Sequence, residues 1–147
     1  MKRQDFSQWP CSIARVSDLI GDGWSPLVLR DIAAGLCTFN DLQTNLNVSR
    51  NTLTQRLNHL VQVGMLRRER YSEKPERFKY LLTEMGEEFV PVLLTMATWG
   101  DKWIFKDAPP YKVKHITCNA SVTAEVRCAE CGEIIKFGSL NLGRSSC

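Results

Sequence analysis

The hydrophobic periodicity of the chain changes at Gly64, and this change constrains the fold more than any other feature of the sequence. Before Gly64, apolar residues recur at the spacing of amphipathic helices in four short segments. After it, apolar and polar residues alternate in two strand-like runs, and a long helical stripe follows. The predicted fold class is therefore α+β, with short helices before a hairpin and a long helix after it.

The predicted boundaries rest on this periodicity and on residues with special backbone roles. Thr38, Ser49 and Thr83 each precede a helical stripe, where a hydroxyl oxygen can accept a hydrogen bond from the first turn. Gly64 stands where a helix commonly needs a left-handed residue to end it. The resulting helices cover approximately residues 12–21, 25–34, 39–46, 50–63 and 84–104, and the strands cover 65–71 and 77–82, with the loop 72–76 between them.

Charge is distributed unevenly along the chain. The formal net charge of the 147 residues is only +3, so the total does not indicate a polyanionic partner. Residues 50–80, however, hold eight basic and three acidic side chains, which places +5 there and leaves −2 for the rest. Such a segment is typical of a surface that faces phosphates, although a solvated charged surface with no partner is the alternative.

The order helix, short turn, capped helix and basic hairpin predicts DNA binding. If Leu53, Leu57 and Leu60 form the buried face of helix 49–63, polar side chains suited to base recognition point outward. We expect this helix to enter the major groove and the hairpin 65–82, the wing, to contact the backbone. The predicted DNA contacts are Ser49, Arg50, Asn51, Thr54, Gln55 and Asn58 on the helix and Lys74, Arg77 and Lys79 on the wing.

The same segments carry a family resemblance. The chain closely resembles HxlR-type transcriptional regulators, which are related to MarR regulators, over about residues 11–107. The resemblance implies a winged helix-turn-helix domain over 11–107, a cytoplasmic bacterial or archaeal transcription factor, and a homodimer on a palindromic operator. Its matching stretches include Cys11-Ser12-Ile13-Ala14-Arg15, Asp18-Leu19-Ile20-Gly21, Phe39-Asn40-Asp41-Leu42, Ser49-Arg50-Asn51-Thr52-Leu53, Gly64-Met65-Leu66 and Tyr80-Leu81-Leu82-Thr83-Glu84-Met85-Gly86.

Dimerisation is also expected from the apolar surface. The last long helix carries Trp99 and Trp103 on a stripe that is larger than one side of a small domain can cover. Helix 12–21 offers a second stripe to a two-fold partner. We therefore predict that the long C-terminal helix serves dimerisation.

Other functional classes find less support in the sequence. The chain has no Gly-rich phosphate loop, and its two histidines are far apart, so we expect no enzyme. A winged-helix module that binds proteins and not DNA is one alternative, because fold does not determine function. A regulator that responds to thiol oxidation or to zinc is another.

The cysteines bear on that last alternative. No apolar run reaches the roughly 18 residues of a membrane span, and the start lacks the apolar stretch of a signal peptide, so a cytoplasmic protein with reduced thiols is expected. Cys11 is a candidate redox sensor, but Pro10 precedes it whereas many relatives have proline directly after the cysteine. An inert, packed thiol is the alternative. Cys37 and Cys147 belong to no recognisable motif.

Beyond the linker 107–110, residues 111–137 form a predicted strand-rich tail with a candidate metal site. His115-x2-Cys118 and Cys128-x2-Cys131 are nine residues apart and could supply the four ligands of a tetrahedral zinc ion. A small tail with reduced cysteines and no metal is the alternative. If zinc binds, we expect a closed structural site that orders the tail, and we expect no other cofactor. We see no internal repeat in the sequence.

Overall fold

A computed structural model describes residues 5–106 and 108–141. The order of elements confirms the predicted α+β winged-helix architecture. The described chain forms two compact units, one ending at Val90 and the other beginning at Pro91. The predicted domain boundaries, 11–107 and 111–137, stay a prediction. The elements are α1 (Ser12–Ile20), α2 (Ser25–Ala33), α3 (Phe39–Leu46), α4 (Arg50–Gln62), β1 (Leu66–Glu73), β2 (Glu76–Leu82), α5 (Glu84–Trp103) and a short 3-10 helix (Phe137–Ser139).

The helix ends form where the capping residues predict them. The Thr38 hydroxyl accepts a hydrogen bond from the Asp41 backbone N–H at 3.2 Å, and the Ser49 hydroxyl accepts one from the Thr52 N–H at 3.1 Å. Gly64, with φ of +84°, adopts the left-handed conformation that follows α4. These caps satisfy backbone groups that have no partner within a helix. The observed boundaries of the five α-helices agree with the predicted ones to within about one residue.

The core of the first unit is built around α4. Its leucines at positions 53, 57 and 60 are at most 1% exposed, as the predicted buried face requires. They share the core with apolar residues from the helices before α4 and from the wing. Those residues are Val28, Leu29, Ile32, Leu42, Val48, Met65, Leu66 and Tyr80.

The wing is an antiparallel hairpin of β1 and β2 whose register runs from Leu66 opposite Leu82 to Glu73 opposite Glu76. The strands are longer than predicted, because pairing continues past an irregularity between Arg70 and Ser72. The predicted loop 72–76 was therefore too long, and only Lys74 and Pro75 lie between the strands. The Tyr80 N–H donates to the Cys37 carbonyl at 2.8 Å, which attaches the wing to the segment before α3.

The tail is less regular than predicted. In the described residues 108–141, the pairing consists of two isolated bridges, Lys114 with Ser121 and Arg127 with Ile134, and no regular strand forms. Each bridge closes a turn, at residues 116–118 and at residues 129–131, and the alternation of apolar residues does not extend the pairing into a ladder. Ile116, for example, is 99% exposed. The tail is thus a small appendage, but the prediction that it is strand-rich was wrong.

No helix in the described parts of the chain is long and apolar enough to cross a membrane.

Gly86 marks a close contact between the start of α5 and the beginning of the wing. A Cβ atom at this position would lie 2.3 Å from the Met65 carbonyl oxygen and 3.1 Å from Leu82 Cδ2. We expect Gly86→Ala to lower the free energy of unfolding by about 1–3 kcal/mol, because the backbone of Met65 must move. Urea denaturation measures this change.

Gly100→Ala is the matched control in the same helix. A Cβ atom there would meet Ile104 Cδ1 at 3.9 Å, which is an ordinary contact. Alanine favours a helix over glycine by about 1 kcal/mol, so this variant should be as stable as the natural protein or more stable. Equal destabilisation by both substitutions would contradict the steric explanation.

Candidate nucleic-acid interface

The helix-turn-helix consists of α3, a tight turn and α4. Asn47 ends α3 in the left-handed conformation, with φ of 46°, and Val48 buries its side chain beneath the turn. Ser49 then caps α4, and its hydroxyl also lies 2.8 Å from the Thr52 hydroxyl. Ser49, a predicted DNA contact, therefore has a structural role in starting the helix.

The outer face of α4 carries the other predicted helix contacts, and all of them are exposed. Thr54 donates its hydroxyl hydrogen to the Arg50 carbonyl at 2.8 Å. The Arg50 guanidinium lies over the Phe39 ring, 5.0 Å from its centroid, which restrains the arginine at the start of α4. The described structure records no side-chain hydrogen bond for Asn51, Gln55 or Asn58, so their amides are available to a partner.

Two polar contacts attach α4 to the end of α1 and the turn after it. Arg56 Nη1 donates to Asp22 Oδ2 at 2.9 Å, and its side chain is only 22% exposed. His59 Nε2 lies 3.0 Å from the Leu19 carbonyl oxygen, which can only accept, so the ring donates. Arg56 is one of the eight cations of the basic segment, but the structure turns it toward Asp22.

Asp22 accepts several hydrogen bonds in addition to that from Arg56. The backbone N–H groups of Trp24 and Ser25 both donate to its Oδ1 at 2.8 Å, and the Ser25 hydroxyl donates to Oδ2. Burial by itself raises the pKa of Asp22, but the hydrogen bonds from Ser25, Arg56 and Trp24 together outweigh it and hold the pKa below its usual value. Asp22 is therefore ionised in the folded protein at neutral pH.

This lowered pKa predicts how stability depends on pH. Because the folded pKa lies below the ordinary value of 3.8, ionised Asp22 stabilises the fold above that value, and the contribution is lost as the pH falls through the folded pKa. Asp22→Asn should lower the free energy of unfolding at neutral pH by about 1–3 kcal/mol. The difference from the natural protein should shrink below about pH 4, as urea denaturation over a pH series can measure.

Several cations on the wing form ion pairs with carboxylates of the same hairpin. Lys79 Nζ lies 3.0 Å from Glu69 Oε1, and Arg67 Nη1 lies 2.7 Å from Glu69 Oε2. Hydrogen bonds from Lys79 and then Arg67 lower the pKa of Glu69, which keeps this carboxylate charged. Lys79, a predicted DNA contact, therefore has a partner within the wing.

Lys74 and Arg77 differ from Lys79. Both are exposed, and the described residues provide neither with an ion pair. Arg68 lies over the Phe78 ring, 4.0 Å from its centroid, and was not among the predicted contacts. The alternation of side chains along β1 could have indicated which of its arginines face solvent.

A cleft of about 320 Å³ lies between the helix-turn-helix and the wing. Phe39 and Arg50 line it from the helix-turn-helix, and Tyr71, Arg77 and Phe78 line it from the hairpin. Residues that are 27 positions apart in the sequence, Arg50 and Arg77, thus border one concave surface. Cations from both elements can face one polyanionic ligand.

The predicted metal ligands occur as two pairs in the tail. His115 Nδ1 lies 3.4 Å from Cys118 Sγ. Hydrogen bonds from the Cys131 N–H, the Glu130 N–H and the Cys131 thiol lower the pKa of the Cys128 thiol, because they stabilise the thiolate. Within the described residues, no group of three or more His, Cys, Asp or Glu side chains lies close enough together to hold a metal ion.

The remaining cysteines are distributed along the chain. Cys11 is half-buried at the N-cap of α1, and its role as a redox sensor stays a prediction. Cys37 is half-buried before α3. Cys147 lies outside the described residues.

Comparison with known proteins identifies the family. The family model described as HxlR-like helix-turn-helix matches residues 19–108. The chain belongs to this family. HxlR-like proteins are transcriptional regulators, which agrees with the expectation that this chain is not an enzyme.

Individual relatives give the same result. An uncharacterized HTH-type transcriptional regulator of Mycobacterium tuberculosis, Rv3095, is 38% identical over 125 residues, which cover 84% of this chain and 79% of the relative. The transcription factor candidate PA1607 has a crystal structure that matches 97% of this chain and 100% of its own, with a TM-score of 0.84 and 29% identity. The redox regulator HypR, in its oxidized form, matches 63% of this chain and 96% of its own, with a TM-score of 0.58 and 29% identity.

Proposed function

We propose that this HxlR-family regulator binds duplex DNA sequence-specifically in the cytoplasm, with α4 in the major groove and the wing on the backbone. The cleft that Arg50 and Arg77 share carries this proposal, because it joins the exposed face of α4 to the cations of the wing. A 13-residue helix is about 20 Å long, and the major groove, about 12 Å wide, admits a helix.

The two elements have different chemical roles in this proposal. The amides of Asn51, Gln55 and Asn58 can each donate and accept, as the recognition of base edges requires. Lys74 and Arg77 carry charges that attract phosphates whatever the base sequence. The helix therefore provides specificity, while the wing provides affinity and orientation.

Substitutions on the two elements should have separable effects. We expect Gln55→Ala to weaken binding to the preferred site by about 1–3 kcal/mol and to relax the preference at one base position. Lys74→Ala should weaken binding to preferred and scrambled DNA alike and should reduce the salt dependence of the affinity. Binding-site selection followed by fluorescence anisotropy at several salt concentrations measures both effects.

Gln62→Ala, at the far end of α4, is the matched control and should keep both affinities. If Gln55→Ala and Lys74→Ala reduced specific and scrambled binding identically, the assignment of roles would be wrong. Failure of the natural protein to bind any duplex DNA at low salt would favour the alternative of a module that binds proteins.

We also propose that the regulator is a homodimer. Within the described chain, no residue of α1 is buried, and Gly86 is the single buried residue of α5. Trp99 and Trp103 are 61% and 63% exposed, and Ile13 of α1 is 76% exposed. Large apolar side chains at this exposure are typical of an interface between subunits. A two-fold dimer would place two copies of α4 on the two halves of a palindromic site.

Sedimentation velocity tests the dimer at micromolar concentration and without DNA. The natural protein should sediment as a dimer. Trp99→Lys should shift the population toward monomer, because it places a charge where the proposed dimer would bury an aromatic side chain. Tyr111→Lys, at an exposed residue outside the helices, is the control and should not change the assembly. A purely monomeric natural protein would contradict the proposal.

A further inference from the structure

The tail contains a structural repeat that the sequence analysis did not detect. Residues 113–122 and 126–135 make the same three backbone hydrogen bonds, displaced by 13 residues. The first ligand residue of each segment donates its N–H to the carbonyl five positions later: His115 to Ala120 at 2.9 Å and Cys128 to Glu133 at 2.9 Å. We call each segment a knuckle.

The remaining pairings repeat in the same way. The residue four positions after the first ligand donates back to that ligand's carbonyl, from Asn119 at 2.7 Å and from Gly132 at 2.8 Å. Both donors have positive φ, 55° and 75°. The outer pairs, Val122 to Val113 and Ile135 to Val126, are both 2.8 Å long, and the two isolated bridges also correspond. Two turns with this equivalence place their first and fourth residues in equivalent positions.

Those first and fourth residues are His115 with Cys118 and Cys128 with Cys131. A tetrahedral zinc ion with bonds of about 2.0 Å to nitrogen and about 2.3 Å to sulfur separates two such ligand atoms by about 3.5 Å. The observed separation of His115 Nδ1 and Cys118 Sγ is 3.4 Å, close to that value. In the second knuckle, the Cys131 thiol lies within hydrogen-bonding reach of the Cys128 sulfur, so the first and fourth side chains are again adjacent.

We propose that residues 113–135 bind one zinc ion per chain through His115 Nδ1 and the sulfur atoms of Cys118, Cys128 and Cys131. Each knuckle provides two of the four ligands of a tetrahedral set, and one ion would join the two pairs. Three thiols give up their protons on binding, and no oxidant or reductant is required. Four protein ligands leave no open position, so the ion has a structural role.

The tail has a physical need for such a link. Its apolar side chains are largely exposed, and a segment of fewer than about 40 residues rarely buries a sufficient core of its own. One described anchor is the Ala124 N–H, which donates to the Thr98 hydroxyl at 2.9 Å. Ala124 lies between the knuckles, so this hydrogen bond attaches the segment that joins them to α5.

Elemental analysis of the untagged full-length protein tests the proposal. Protein purified under reducing conditions without chelator should contain about one equivalent of zinc per chain. Cys118→Ser and Cys131→Ser should each retain less than about a fifth of that amount, because each removes one of four ligands. Cys37→Ser, which alters a cysteine outside the tail, is the matched control and should retain all of it.

A substitution that keeps a ligand separates coordination from a general effect on folding. His115→Cys should still bind one equivalent, whereas His115→Ala should not. After replacement of zinc by cobalt, the natural protein should show the visible absorption of a tetrahedral thiolate site, and His115→Cys should shift that absorption. A shift of this kind requires the side chain at position 115 to bind the metal directly.

Less than about half an equivalent in the natural protein, both as purified and after addition of zinc and dialysis, would overturn the proposal. Equal losses in Cys37→Ser and Cys118→Ser would also overturn it. Both measurements are independent of DNA binding, so their outcome is distinguishable from the failure of the proposed function.

Discussion

The first unit depends on the burial of one face of α4. Leu53, Leu57 and Leu60 are almost fully excluded from water, and α4 contacts both α2 and β1. Because these side chains follow helical spacing, their burial determines which way every other residue of α4 points. The polar outer face, and hence the candidate DNA surface, is a consequence of how the core packs.

Polar contacts complete this attachment in a way that hydrophobic packing cannot. Apolar packing tolerates small rotations of a helix, whereas the Arg56–Asp22 ion pair and the His59–Leu19 hydrogen bond each require one orientation. Both contacts come from the side of α4 next to α1. They make the orientation of α4 depend on the end of α1 and the turn after it.

The charges of the basic segment do not all serve one purpose. Arg56 stabilises the fold, and Lys79, Arg67 and Glu69 form a network on the wing. Lys74 and Arg77 are exposed and have no ion pair in the described structure. The local charge of +5 therefore overstates the charge that is available to a ligand.

The sequence by itself determined the order of elements, the boundaries of the helices and the buried face of α4. These features depend on local chemistry: hydroxyl caps at Thr38 and Ser49, the left-handed Gly64, and the helical spacing of leucines. It also limited the wing to residues 65–82, although cross-strand pairing extended the strands beyond the predicted loop.

Only the tertiary structure decided which polar residues are available and which are already engaged. The partners of Arg56 and His59 lie 34 and 40 positions away, and no local rule relates such residues. The structure also revealed the equivalence of the two knuckles, because their side chains differ and the repeat lies in the backbone hydrogen bonds. Spacing along the chain depends on local geometry, whereas the partner of a side chain depends on which distant segment the core brings beside it.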